Sequence, residues 1–394
     1  MKIIHTSDWH LGHSLYGYNR DMEQASMLRQ IEDIVRDEAP DALVVSGDIY
    51  HTGQPSASIQ KMFTEAVMQI HAACPDVTIV ITAGNHDSAS RHEITKALWS
   101  TQNVYMVGSV DKDDLRSQIV ELPGRKGFII AVPYINERSI PEGFWQSLLD
   151  EAAGKNPDGL PVVLMAHLTV SGSDFRGHDD ARDYSVGGID SIELDDLGAG
   201  YDYVALGHIH HAQTLEGSAG RVRYSGTPIP VSFDETYPHS VSVVEIEAHG
   251  AAPKLREVEI SNPLPLVNLP SEGFAPWEEA KGLAKQFPKD LPAYIRVNVE
   301  VEDTLPPEAN AEIRSILAEG KGLFCHLNSR RKRDEAANRK TLSVSEFRAM
   351  EPMEVARLFA EDSGRGFDDE LEALFKEVEN EVMEDNRNRQ EDRK

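Results

Sequence analysis

Five short segments of the chain concentrate residue types that bind metal ions: Ser7-Asp8-Trp9-His10, Gly47-Asp48-Ile49-Tyr50-His51, Gly84-Asn85-His86-Asp87, Ala166-His167 and Gly207-His208-Ile209-His210. They supply seven candidate ligands, Asp8, His10, Asp48, Asn85, His167, His208 and His210, all carboxylate, amide or imidazole with no thiolate. Such donors suit hard or borderline divalent ions such as manganese, iron or zinc better than a calcium cage, and four imidazoles argue against magnesium as the sole occupant. Two ions about 3.5–4 Å apart, bridged by one carboxylate, can stabilise both the attacking and the leaving oxygen of an in-line displacement at phosphorus. Asp48 is the natural bridge. A lone His-x-His would carry little weight; the joint set carries much.

Each segment follows a stretch that reads as a β-strand: Lys2 to Thr6, Ala42 to Ser46, Val77 to Thr82, Val162 to Met165 and Tyr203 to Leu206, with further candidates at Phe128 to Val132 and Val241 to Ile246. Arg20 to Glu38 and Ser56 to Ala73 have the length and apolar period of crossover helices, which would make the first three strands parallel. The pattern is that of an α/β layered fold, in which ligands gather outside the carboxyl ends of the strands. Asp8 and His10, or His208 and His210, could then share a face of an extended strand end or diverge in a loop to address two ions.

Not every histidine in these surroundings needs a chemical role. His5 lies inside a strand and reads as core, while His13, His71, His92 and His239 have no motif around them. Gly47, Gly84 and Gly207 can be explained as turns at strand ends, and Trp9 and Tyr50 as packing beneath the site.

At 394 residues the chain exceeds the size at which one core keeps growing, so a large domain with at least one smaller module is expected. The prolines between Ser261 and Gly273 mark a boundary, after which Tyr294 to Val301 alternates as a half-buried strand and Pro307 to Glu319 reads as a helix. Beyond Leu342, two amphipathic helices are expected around Gly364 and Gly366; Phe367, Leu371, Leu374, Phe375, Val378 and Val382 form an apolar stripe on the second. Residues 341–394 hold 16 acidic and 8 basic residues. Three parts follow: 1–262, a small module at 263–340, and a helical tail at 341–394.

With 40% hydrophobic and 27% charged residues, a fully disordered chain is excluded. No run of about 18 apolar residues exists and the N-terminus turns polar too early for a signal peptide, so the cytosol is the expected compartment. Cys74 and Cys325, far apart, read as ordinary thiols. The net charge of −27 argues against binding a polyanion, unless the acid lies away from the site, bound cations invert the local field, or a basic partner completes the groove.

The ordered segments Asp-x-His, Gly-Asp, Gly-Asn-His-Asp, His and Gly-His-x-His resemble the calcineurin-like metallophosphoesterase superfamily over about residues 1–246. Ser7 to Gly12, Ala83 to Ser88, Ala205 to His210, Tyr224 to Pro230 and Ser232 to Glu235 narrow the resemblance to its DNA double-strand-break repair nuclease branch. That resemblance implies a four-layer α/β/β/α sandwich with a small α+β capping domain and a helical tail. It assigns one ion to Asp8, His10, Asp48 and His210 and the other to Asp48, Asn85, His167 and His208, with Mn2+ foremost and Mg2+ or another transition metal as alternatives. His86 becomes the catalytic imidazole, stabilising the transition state or protonating the leaving 3′ oxygen. Asp87 either orients it or is structural, and His51 is a second acid or a DNA-positioning group. Further implications are an SMC-like ATPase partner bound by the tail, a homodimer and thus a heterotetramer, and a nucleoid-associated place in the cytoplasm. Arg330, Arg331, Lys332 and Arg333, with Arg339 and Lys340, could contact DNA or the partner, or form a solvated basic face. The rival readings are a small-substrate phosphatase or phosphodiesterase with the same cage, and a non-catalytic scaffold that keeps the fold.

Overall fold

The computed structural model describes residues 1–177, 191–332, 350, 352–362, 367, 371–372 and 374–376. The chain opens with β1 (Lys2–Thr6), a short hairpin of β2 (Ser14–Leu15) and β3 (Tyr18–Asn19), helix α1 (Asp21–Glu38) and β4 (Ala42–Ser46). Helix α2 (Ala57–Ala73), β5 (Thr78–Thr82), α3 (Ala89–Ser100) and β6 (Val104–Val107) continue the alternation. β1, β4, β5 and β6 pair in parallel, as the crossover helices require. Helix α1 carries Asp21 and Glu23 in its first turn and buries Met27, Leu28, Ile31 and Val35 on one stripe. Ser56 caps α2 by accepting the Ile59 N–H at 3.4 Å.

A second sheet follows, from β7 (Ile119–Glu121), β8 (Phe128–Ala131), helix α4 (Phe144–Lys155), β9 (Val162–His167), β10 (Tyr203–Gly207), β11 (Gln213–Thr214) and β12 (Val222–Tyr224). β13 (Ser240–Glu245) and β14 (Lys254–Glu259) then return to the first sheet, giving the strand order 14-13-1-4-5-6 against 11-12-10-9-8-7 in the second. Alternate residues serve different layers. Ile3, Val44 and Val80 meet Val163, Met165 and Ala205 between the sheets, while Ile4, Leu43 and Ile79 face the helices α1 and α2. Helix α4 covers the outer face of the second sheet through Trp145, Leu148 and Leu149. The result is the α/β/β/α sandwich, and its central strands are apolar on both faces for that reason. His5 is fully buried between the sheets, its Nδ1 2.9 Å from the Tyr203 hydroxyl. Burial, reinforced by the Arg223 charge, lowers its pKa to about 3, so it is a neutral core residue.

A third, smaller sheet is built from β15 (Leu266–Leu269), β16 (Ala275–Pro276), helix α5 (Trp277–Gln286), β17 (Ala293–Val301), helix α6 (Ala309–Leu317) and β18 (Gly322–Arg331). β17 is its centre, with β15 and β16 along one edge and β18 along the other. Ile295, Val297 and Val299 pack with Ala280, Ala284 and Ile313 of the two helices. The opposite face of β17 departs from the half-buried pattern: Tyr294 is 1% and Asn298 5% exposed. The polar residues there face the first domain. The Tyr294 hydroxyl donates to Glu23 at 2.8 Å, Tyr18 donates to the Phe324 carbonyl at 3.1 Å, and the ring of Tyr16 stacks on His326 with centroids 5.2 Å apart. Glu23 also pairs at 3.3 Å with Arg20, which is 1% exposed and donates to the Pro230 carbonyl at 2.7 Å.

The C-terminal stretch from Lys332 forms a unit of its own. Within it, helix α7 (Pro352–Asp362) is described, and Arg357 pairs with Glu372 and lies over the Phe367 ring. Leu371 and Leu374 of the expected stripe are exposed, whereas Val378 and Val382 lie outside the described residues. Among the described residues no helix is long and apolar enough to cross a membrane.

The buried Arg20–Glu23 pair gives a stability prediction. Glu23→Ala leaves the guanidinium without its carboxylate and should cost about 3–5 kcal/mol, read as a lower urea midpoint; an unchanged midpoint would show the pair to be solvent-screened.

Candidate metal centre

All seven candidate ligands lie at the carboxyl ends of parallel strands in the two sheets. Asp8 and His10 follow β1, Asp48 follows β4 and Asn85 follows β5; His167 ends β9, and His208 and His210 follow β10. The loops are tied together through the backbone, Asp8 N–H to the Gly47 carbonyl and His10 N–H to the Asp48 carbonyl, both at 3.0 Å. Four of the seven adopt positive φ: Asp8 at 52°, His10 at 43°, Asp48 at 50° and His208 at 97°. Non-glycine residues rarely hold this conformation, and it costs on the order of 1 kcal/mol or more each. The turn explanation for the neighbouring glycines holds only at Gly47, with φ 83°. Gly84 and Gly207 are required for space, since a Cβ there would meet Asp48 Oδ1 at 2.1 Å and the Ser46 carbonyl oxygen at 1.8 Å.

The side chains gather into two lobes around Asp48. In one, Nε2 of His10 and Nε2 of His210 are 3.2 Å apart, with Asp8 close enough to share a ligand. In the other, Asn85 Oδ1 lies 2.9 Å from His167 Nε2 and 3.1 Å from His208 Nδ1. One oxygen of Asp48, Oδ2, is 3.8 Å from His10 Nε2 and 3.5 Å from His167 Nε2, between the lobes. His208 and His210 therefore diverge, one to each side.

The hydrogen bonds behind the cage fix which nitrogen faces inward. His167 Nδ1 donates to the Ser46 carbonyl at 2.8 Å, and His210 Nδ1 donates to Glu235 Oε1 at 3.0 Å. Their neutral rings thus turn Nε2 lone pairs toward Asn85 Oδ1 and His10 Nε2. Acceptors face acceptors with no protein donor between them, and this arrangement is stable only around cations or extra protons. The donor set fits the divalent ions expected from it.

Electrostatics report the same demand. Burial opposes charge on His167, but the Asp48 and Asp8 carboxylates outweigh it and raise its pKa to about 9. Burial likewise opposes charge on His210, and Glu235, Asp8 and Asp48 raise it to about 9. Asp48, although burial pushes it up, is held well below the usual carboxylate range by His167 and His10. Burial lowers His208 to about 3 and carries His10 well below the ordinary imidazole value.

His86 and His51 stand at the rim, half-buried and stacked with centroids 5.6 Å apart. His86 Nδ1 donates to the His51 carbonyl at 2.9 Å, and its ring lies 5.0 Å from that of His10. Asp87 does not orient His86; its carboxylate accepts the N–H groups of Ile49, Tyr50 and Gly84 at 2.9–3.0 Å and so ties two ligand loops together. Trp9 and Tyr50 are buried packing residues. A groove of about 670 Å³ opens beside Asn85 and His86, lined also by Gln54, Ser90 and Arg91.

Several residues at the site escape a reading of the sequence alone. His13 sits against His51 with ring centroids 4.7 Å apart, and nothing in its local sequence signals this. Ser7 donates to Asp8 at 2.5 Å and touches Ser225 at 2.8 Å. Glu235 receives His210, Thr227 Oγ1 at 3.0 Å and the Val231 N–H at 3.2 Å. The available signal was the two segments that narrowed the resemblance, since Ser225, Thr227 and Glu235 all belong to them. The basic cluster is more modest than expected: Arg330 pairs with Glu300 and Arg331 with Asp303, both at 3.2 Å on the surface. Lys332 is exposed, while Arg333, Arg339 and Lys340 lie outside the described residues.

The sandwich and this donor set define a metallophosphoesterase, and the family model for calcineurin-like phosphoesterases matches residues 1–212. Similar curated proteins include SbcD, the smaller component of the SbcCD nuclease, from Rhodobacter capsulatus, 34% identical over 71% of this chain and 74% of its own length. SbcD from Bacillus subtilis is 30% identical over 80% of this chain and 83% of its own, and that from Escherichia coli K12 is 30% identical over 60% and 62%. The chain belongs to the calcineurin-like phosphoesterase family and, within it, to the SbcD nucleases. It is accordingly a phosphoester hydrolase that works with divalent metal ions.

The raised values of His167 and His210 set a pH dependence. Both rings are protonated at pH 7 and must lose that proton to bind an ion, so Mn2+ binding should release about two protons there. Affinity should rise with pH until about 9 and level off above it. Calorimetry in two buffers of different ionisation enthalpy measures the release; equal apparent enthalpies would refute it.

Proposed function

We propose that this chain is the nuclease subunit of an ATP-dependent SbcCD-type complex and hydrolyses the phosphodiester bonds of DNA. Its activities in this reading are double-strand exonuclease, single-strand endonuclease and hairpin cleavage, in DNA repair, recombination and replication. The observation that carries it is the two-lobed acceptor set divided by one carboxylate oxygen of Asp48. In this assignment Asp8, His10, Asp48 and His210 hold one Mn2+ ion, and Asp48, Asn85, His167 and His208 the other. Bound there, the ions would supply the attacking oxygen and charge stabilisation at phosphorus.

The chain's own groups do the rest. The His51 carbonyl takes one proton of His86, leaving Nε2 to carry a second at the rim of the cage. From there it can hydrogen-bond the charge developing on phosphate or protonate the leaving 3′ oxygen. His51, stacked on His86 and backed by His13, restricts the angle of that ring and serves as a second candidate donor. Arg91 puts a cation in the groove beside His86. Arg330, Arg331, Lys332 and Arg333 are secondary DNA contacts; the first two would exchange weak surface ion pairs for phosphate.

The net charge of −27 favours a partner that holds the substrate. An SbcC-type SMC-like ATPase, bound through the acidic tail at 341–394, meets that need. Exposed Ile94 and Leu98, one turn apart on α3, support a homodimer through the catalytic domain and so a heterotetramer with the ATPase.

Two experiments test this reading. With Mn2+, the purified protein should cleave linear DNA, and Asp48→Ala should lower the rate by at least about 1000-fold while preserving the fold; rapid turnover of an aryl phosphate alone would point to a small-substrate phosphatase instead. Deleting residues 341–394 should abolish coprecipitation with the ATPase, and retained binding would refute docking by the tail.

A further inference from the structure

Residues 233–235 touch the metal centre and the small third sheet at once. Glu235 is fully buried at its side chain and receives Nδ1–H of His210 at 3.0 Å. Its other oxygen is held by the Thr227 hydroxyl at 3.0 Å and the Val231 N–H at 3.2 Å, so the carboxylate has one fixed orientation. One residue earlier, Asp234 pairs with Arg296 of β17 at 2.6 Å. One residue earlier still, the Phe233 carbonyl accepts from Asn268 of β15 at 3.0 Å. The Phe233 ring, 3% exposed, packs with Leu15 and Tyr294 and lies 5.3 Å beneath the Arg296 guanidinium.

We propose that Glu235 is a positioning residue that aims His210 Nε2 into the centre, and that the third sheet sets its position through Phe233, Asp234 and Arg296. A carboxylate behind a ligating imidazole fixes the ring and raises its basicity, and losing it typically weakens metal binding about 10- to 100-fold. Because the three residues are consecutive, a shift of β15 or β17 moves the same backbone that carries the carboxylate. Seating of the small domain thereby tunes one ion of the pair and leaves the lobe of His167, His208 and Asn85 alone.

This rests on the two-ion reading, and the test separates the two claims. Mn2+ is titrated into the chelator-stripped full chain and free ion is followed by electron paramagnetic resonance. Wild type should bind two ions; failure to do so refutes the two-ion reading rather than the role of Glu235. Glu235→Ala should weaken one ion about 10- to 100-fold and spare the other, whereas two wild-type affinities, or equal loss of both with a lowered melting temperature, would overturn the positioning role. If that variant does not fold, Glu235→Gln keeps an acceptor without the charge and should weaken the same ion about threefold; no loss overturns the proposal. Arg296→Ala, in the other domain, should weaken that ion about 2- to 10-fold, and unchanged binding would remove the third sheet from the account.

Discussion

Acceptors facing acceptors are the constraint on which this molecule is organised. Nε2 of His210 is turned toward Nε2 of His10, and Nε2 of His167 toward the amide oxygen of Asn85, with buried carboxylates of Asp8 and Asp48 among them. Left to themselves such groups repel or take up protons. They stay together because the backbone leaves them no alternative: four ligands are held at positive φ, and Gly84 and Gly207 let neighbouring loops approach closer than any side chain would permit. The free energy of packing two sheets face to face maintains this local strain. Ile3, Val44, Val163 and Ala205 form the layer between the sheets, and that layer keeps the carboxyl ends of strands from both within reach of one centre.

Support for the cage is distributed over segments with no ligand of their own. Asp87 ties the loops after β4 and β5 through three backbone N–H groups. Ser7 and Ser225 bridge Asp8 to the stretch after β12, where Thr227 and Glu235 back His210. The same stretch carries the contacts to the third sheet. The segments that narrow the resemblance from phosphoesterases at large to the repair nucleases thus fall where the centre meets the added domain, which is where a nuclease built to work within a larger assembly would differ from a free phosphatase.

Surface charge follows a different logic. Pairing of Arg330 with Glu300 and of Arg331 with Asp303 illustrates why a run of basic residues is weak evidence of a phosphate path: acids on neighbouring elements can occupy it. A chain of net charge −27 has many such acids. Cations held at the centre, rather than the protein surface, are the positive charge that a phosphodiester would meet first.

By itself the sequence determined the strands, the crossover helices and the seven ligands. Continuous apolar runs such as Leu43-Val44-Val45 can only be strands covered on both faces, and the chemistry of Asp, Asn and His does not depend on context. Their order along the chain was sufficient to place them at strand ends. It could not say that His208 and His210 face different lobes, that Asp87 serves the loops and not His86, or that Gly84 and Gly207 are there for space. Nor could it show that the polar face of β17 is covered, or that His13 and Glu235 stand behind the site. Those properties depend on which atoms of distant segments come within about 3 Å of one another, and only the packing of the two sheets and the third domain brings residues 13, 51, 86, 210 and 235 to that range.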